Sequence, residues 1–179
     1  MKSILVVTLA AALAGCAASR PDLPTEKNVD LARYVGTWYE QARLPNRFQQ
    51  ICAGDVQADY TLEAGGTIRV VNRCRTRDGQ FTVAEGEARL SAAASPPDPA
   101  RLQVRFAPAW LSWLPMVWGD YWIVKLEGDY QYSLVGTPDR KYLWVLSREK
   151  KADARVVASL LETAKSLGFD VGQVVVDTQ

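Results

Sequence analysis

Between Arg101 and Phe106 the chain alternates strictly, with Leu102, Val104 and Phe106 apolar and Arg101, Gln103 and Arg105 polar. A period of two sends successive side chains to opposite faces, so this segment predicts a strand buried on one face only. Similar short β-rich segments recur at 37–44, 55–63, 67–75, 80–91, 120–127, 130–136 and 142–148. Turn signals separate them, among them Ala64-Gly65-Gly66, Arg77-Asp78-Gly79, Gly128-Asp129 and Thr137-Pro138-Asp139-Arg140. Eight strands joined by sequential hairpins predict an all-β, up-and-down antiparallel barrel or sandwich. The period then lengthens. Val156, Leu160, Leu161, Ala164 and Leu167 form one helical stripe, with Asp153 placed to cap its start and Gly168 to end it. A single helix with one apolar stripe belongs on the outside of the sheet. The stretch 171–176 adds a short edge strand, and no internal repeat or second domain interrupts the pattern.

The first residues obey another logic. Lys2 is followed by an apolar run from Ile4 to Leu13, well short of the roughly 20 residues that span a bilayer. This reads as a secretory signal over 1–15. It ends at Leu13-Ala14-Gly15-Cys16, which looks like the lipobox of bacterial lipoproteins. That likeness implies diacylglycerol on the Cys16 thiol, cleavage before it and acylation of the new amine. Several acyl chains anchor a protein stably where one does not, because each buried methylene adds about 0.8 kcal/mol. Ala17 in place of aspartate is similar to cargo sent to the outer membrane of enteric bacteria, with the domain facing the periplasm. The polar, proline-bearing residues up to 27 read as a tether, leaving 28–179 as the domain. Cys52 and Cys74 remain for an oxidising compartment. They flank the hairpin turn at Ala64-Gly65-Gly66 almost symmetrically, so a disulfide across adjacent strands is expected, contributing roughly 3 kcal/mol.

Composition narrows the chemistry. The 179 residues carry a net charge of +1, too little for a nucleic-acid partner that would need several phosphate contacts. There is no histidine, which removes Ser-His-Asp and Cys-His catalysis and any imidazole metal site. No nucleophile elbow or phosphate loop is present either. No metal, catalytic residue or cofactor is implied, and the chain reads as a binding protein rather than an enzyme.

Three separated landmarks then fall into place. Gly36-Thr37-Trp38-Tyr39 opens the first strand, Gly128-Asp129-Tyr130 joins the sixth to the seventh, and Arg148 closes the eighth. In this order, with the trailing helix, the chain resembles the lipocalins, and more closely the outer-membrane lipoprotein branch of bacteria. The resemblance implies a closed eight-strand barrel with one plugged end. Gly36, Trp38, Asp129, Tyr130 and Arg148 would form that end, with the Arg148 guanidinium stacked on the Trp38 indole and reaching strand-end carbonyls.

It also implies an apolar calyx for one small ligand. Strand parity offers Leu102, Val104, Phe106, Tyr132, Leu134, Tyr142 and Trp144 as its lining, a wall suited to the acyl chain of a fatty acid or lysophospholipid. The sixth strand is ambiguous: burial favours Trp122, Val124 and Leu126 inside, whereas an inward Lys125 would suit an anionic head group. Two rival functions remain. One is a lipocalin-fold enzyme using Lys125 or a buried tyrosine. The other is an envelope structural or inhibitor protein with an incidental pocket. Between the fifth and sixth strands, 107–117 carries Trp110, Leu111, Trp113, Leu114 and Met116. Such a loop serves as a lid, a membrane finger, a homodimer contact or packing over the rim.

Overall fold

The computed structural model describes residues 22–178. Cys16, the signal segment and the start of the tether lie outside them. A one-turn helix α1 (Leu31–Tyr34), capped by the Asp30 carboxylate, leads into β1 (Gly36–Arg43). The strands β2 (Cys52–Leu62), β3 (Ile68–Thr76), β4 (Phe81–Leu90), β5 (Arg101–Arg105), β6 (Gly119–Glu127), β7 (Tyr132–Gly136) and β8 (Leu143–Ser147) follow. Each pairs antiparallel with the next, and β1 pairs with both β2 and β8, so the sheet closes into a barrel. Helix α2 (Ala154–Ser166) begins at the Asp153 cap, and Gly168 leaves it with φ +90°. A two-residue strand, β9 (Val175–Val176), then pairs with β1 at Ala42 and Arg43.

The barrel has two apolar layers. Inside, Trp38, Ile123, Val135 and Leu146 pack with Tyr34 at one end, beside Ile68, Val70, Ala88 and Leu102. Outside, Ala42, Trp122, Val124, Leu134 and Val145 lie under α2, meeting Leu160, Ala164 and Phe169. Strands β6 to β8 are therefore buried on both faces, which erases the in-out alternation seen in β5. Residues 22–27 correct the tether reading. Leu23 is wholly buried in the outer layer, the Glu26 amide donates to the Ile123 carbonyl at 2.9 Å, and Asp22 pairs with Arg101.

Gly136 marks how tightly the outer layer closes. A Cβ there would stand 2.6 Å from Cζ of Phe169. Gly136→Ala is expected to cost about 1–3 kcal/mol through displacement of that ring. A shifted denaturant midpoint checks this, and an unchanged midpoint contradicts it.

Candidate functional site

The base of the barrel is built around Trp38, which has no exposed surface. Its Nε1 donates to the Tyr34 carbonyl at 2.8 Å. The Arg148 guanidinium lies 3.8 Å from the centre of its ring. The same guanidinium donates to the carbonyls of Arg33, Tyr34, Val35 and Thr37 at 2.8–3.0 Å, and Nε reaches the Tyr130 carbonyl at 3.3 Å. One side chain thus satisfies the orphan carbonyls of α1 and the entry to β1. Gly36 makes room for it. Its φ is +101°, and a Cβ would lie 3.3 Å from Nη1 of Arg148. Asp129 and Tyr130 finish the base. Asp129 accepts from Arg33, the Tyr130 hydroxyl accepts from the Asp30 amide at 2.8 Å, and both residues hold positive φ.

Above this plug the inward-facing residues open progressively. Along β5, Leu102 is 2% exposed, Val104 half-buried and Phe106 43% exposed. Along β4, read from base to mouth, Ala88 is buried, Gly86 half-buried and Ala84 exposed. Along β8 and β6, Leu146 and Ile123 are sealed while Trp144 and Tyr121 are half-buried. The same gradient on four strands describes a cup shut at its base and open at the other end. Gly86 lets the Phe106 ring close against β4, since a Cβ there would stand 2.7 Å from Cδ1 of that ring. Two clefts of about 210 and 300 Å³ lie elsewhere: one under Trp113 and Trp118, the other beside Lys27 and Asp129.

Polar groups inside the cup occupy two levels. On the floor, the Tyr34 hydroxyl meets those of Tyr121 at 2.8 Å and Ser133 at 3.1 Å, and Tyr60 meets Tyr121 at 3.1 Å. Burial pushes Tyr34 up to about 12 and raises Tyr60 and Tyr121 as well, so all three stay protonated donors at neutral pH. Nearer the mouth, Glu40 follows Trp38 by two residues on the inner face. A bulge between Glu40 and Ala42 then restores Arg43 to the inside, opposite Trp144. Arg43 donates to Glu40 at 2.7 Å, Gln49 donates to the other carboxylate oxygen at 2.6 Å, and Trp144 donates to Gln49 at 2.9 Å. The loop after β1 is thereby tied to the wall of the cup.

Burial raises the Glu40 carboxyl above its ordinary 4.5, although Arg43 opposes the shift. The sign follows from linkage. As pH rises through 4.5 the unfolded chain ionises first, so the wild type loses stability until the raised native value is passed. Relative to Glu40→Gln, whose side chain does not titrate, the wild-type stability should decline across that window. Denaturant melts of both proteins at stepped pH measure the difference. A difference that rises with pH would contradict it.

Comparison with known proteins decides what this barrel is. A family model described as a lipocalin-like domain matches residues 29–179. The chain belongs to the lipocalin family. It is 37% identical over 155 residues to temperature-induced lipocalin-1 of Arabidopsis thaliana, covering 86% of this chain and 81% of that one. It is 35% identical over 174 residues to the outer membrane lipoprotein Blc of Escherichia coli K12, covering 94% and 92%. Among solved structures, insecticyanin of the tobacco hornworm Manduca sexta superposes with a TM-score of 0.69 at 21% identity, covering 90% of this chain and 86% of that one. That last likeness concerns the fold.

Within this lipocalin the expected lining divides. Leu102, Val104, Phe106 and Trp144 face the calyx, and Tyr142 stacks on Trp144 with ring centres 6.0 Å apart at its rim. Trp122, Tyr132 and Leu134 do not face it and are corrected to the outer layer. Trp122 packs under Arg101, Leu134 under α2, and the Tyr132 hydroxyl accepts from the Asp153 amide at 3.1 Å. The inward residues of β6 are Tyr121 and Ile123. A register shift after Ile123 then leaves Lys125 outside, 2.6 Å from Glu127, and returns Leu126 to the inner cluster. Cys52 and Cys74 form the disulfide, with Cα atoms 5.6 Å apart, bracing β2 against β3 near the mouth. The loop 107–117 does not lie across the calyx. Trp118 anchors its end to the outer wall, donating to the Ser112 carbonyl at 2.8 Å with Arg89 stacked 3.7 Å above its ring. Trp110 and Trp113 are 74% and 75% exposed.

Proposed function

We propose that this lipocalin is held in the outer membrane through an acylated Cys16, after removal of residues 1–15. It stores or carries a fatty acid or lysophospholipid in its calyx for envelope maintenance. The observation that carries the reading is the graded interior: an apolar wall from Leu102 to Phe106, opening upward from a floor sealed by Trp38. Burying an acyl chain there removes apolar surface from water at roughly 25 cal/mol per Å². The Arg43–Glu40 pair and the Trp144 indole stand near the mouth, where a head group would sit. The name of the Escherichia coli relative supports the location. Binding is favoured over catalysis because Lys125 lies outside the calyx and the floor tyrosines are held protonated, leaving neither as a base.

Calorimetric titration of the purified protein with oleate and with a lysophosphatidylethanolamine tests the ligand class, with saturable one-to-one binding expected for at least one. The mass of the mature N-terminal peptide tests the anchor separately. An unmodified chain beginning at Met1 would refute it. Absence of heat with either lipid at two well-separated temperatures would favour an envelope protein whose pocket is incidental.

A further inference from the structure

Exposed apolar side chains gather at the mouth and on the outer wall below it, where the loop carrying Trp113 lies against Arg89 and Gln103. Phe48 and Ile51 follow β1, Phe81 opens β4, and Trp110, Trp113 and Met116 lie between β5 and β6, each between 56% and 85% exposed. Arg47 and Arg77, both exposed, stand among them. An apolar rim with aromatic residues and interspersed arginines suits the interfacial layer of a bilayer, where indole rings concentrate and cations meet lipid phosphates.

The course of the chain before the barrel says which surface this rim meets. From the base, where the Asp30 amide meets Tyr130, the chain runs backwards along the outside of β6. Glu26 accepts from the Leu126 amide and donates to the Ile123 carbonyl, and Asp22 then pairs with Arg101, which lies opposite Trp122. Strand β6 runs from mouth to base, so the chain traced back towards Cys16 climbs towards the mouth. It does so on the very wall that carries the tryptophan loop. From Arg101 to Arg105, where that loop springs, β5 rises about 13 Å. The six residues 16–21 span up to about 20 Å when extended. That length of chain is enough to bring Cys16 to the level of the loop.

We infer that the barrel sits mouth-down, with Trp110, Trp113 and the neighbouring rim seated in the bilayer that holds the Cys16 lipid, so that an acyl chain passes between membrane and calyx without crossing bulk water. This rests on the anchored-lipocalin reading. It commits the rim to a lipid surface rather than to a second copy of the chain.

The test uses the full chain as a cell processes it, reconstituted into phosphatidylethanolamine–phosphatidylglycerol vesicles carrying brominated acyl chains. Two of the six tryptophans lie on the loop, so emission is expected to fall by about a third as bromine quenches them. Trp110→Ser/Trp113→Ser should leave emission unquenched while oleate binding in solution persists. Flotation with the vesicles but no quenching would overturn the orientation and leave the anchor standing. Failure to float at all would overturn both. A dimer in sedimentation that the double variant converts to monomer would give the rim to a second copy and also overturn the inference.

Discussion

Arg148→Met is expected to be the most damaging single substitution at the closed end. The methionine keeps apolar contact with Trp38 but donates nothing, so the carbonyls of Arg33, Val35, Thr37 and Tyr130 lose a common donor. The Arg33 carbonyl is exposed and regains water, whereas the three part-buried acceptors cost about 1–3 kcal/mol each before relaxation recovers part, which leaves a loss of about 3–5 kcal/mol. For a chain of this length that lowers Tm by about 10 °C. Arg148→Lys should fall between, because an ammonium keeps the charge but cannot fork across several carbonyls while stacking on an indole. Thermal unfolding of both variants checks the order. A loss below about 1 kcal/mol for Arg148→Met would mean that the base is held by the apolar packing of Trp38 alone.

The second large effect is on binding rather than stability. Ala84 faces the calyx on β4 yet is exposed, so a larger side chain there has space and does not strain the backbone. Ala84→Trp should occupy the volume of two or three methylenes of an acyl chain. At about 0.8 kcal/mol each this is about 2 kcal/mol, or roughly thirtyfold weaker binding, with Tm little changed. Titration with oleate alongside a thermal melt separates the two readouts. Equal affinity in variant and wild type would place the ligand outside the lumen.

Which features the chain disclosed beforehand follows from how many faces each strand buries. On β5 the outer face is polar, so Leu102 and Val104 were legible as inward from alternation alone. On β6 and β7 helix α2 and the segment around Leu23 cover the outside, and apolar residues occupy both parities. Hydrophobicity then no longer distinguishes lumen from helix interface, and it placed Trp122 wrongly. Tyr132 and Leu134 failed for a different reason. Tyr130 belongs to a turn with left-handed φ, so stepping by two from it carries no strand parity. The landmarks of the base were legible because one glycine, one indole and one guanidinium must meet there. The Glu40–Arg43 pair was not, because a bulge brings Arg43 inward; Glu40, two residues beyond Trp38, was within reach of the parity rule. The tyrosine floor assembles from α1, β2, β6 and β7, a meeting that only tertiary structure creates.

The floor also bears on what the calyx holds. Tyr34, Tyr60, Tyr121 and Ser133 bond chiefly to one another, so the terminal methyl of a ligand would meet the edges of their rings rather than free hydroxyls. On the proposed reading, the polar end of the ligand belongs at the mouth, near Arg43 and Trp144.

Native mass spectrometry of the protein, purified from its cells without detergent, tests most directly whether the lumen holds a lipid. A calyx that shelters an acyl chain gives a population heavier by the mass of one fatty acid or lysophospholipid, and Ala84→Trp depletes that population. Wild-type protein that carries no such adduct, even after incubation with excess oleate, would contradict it.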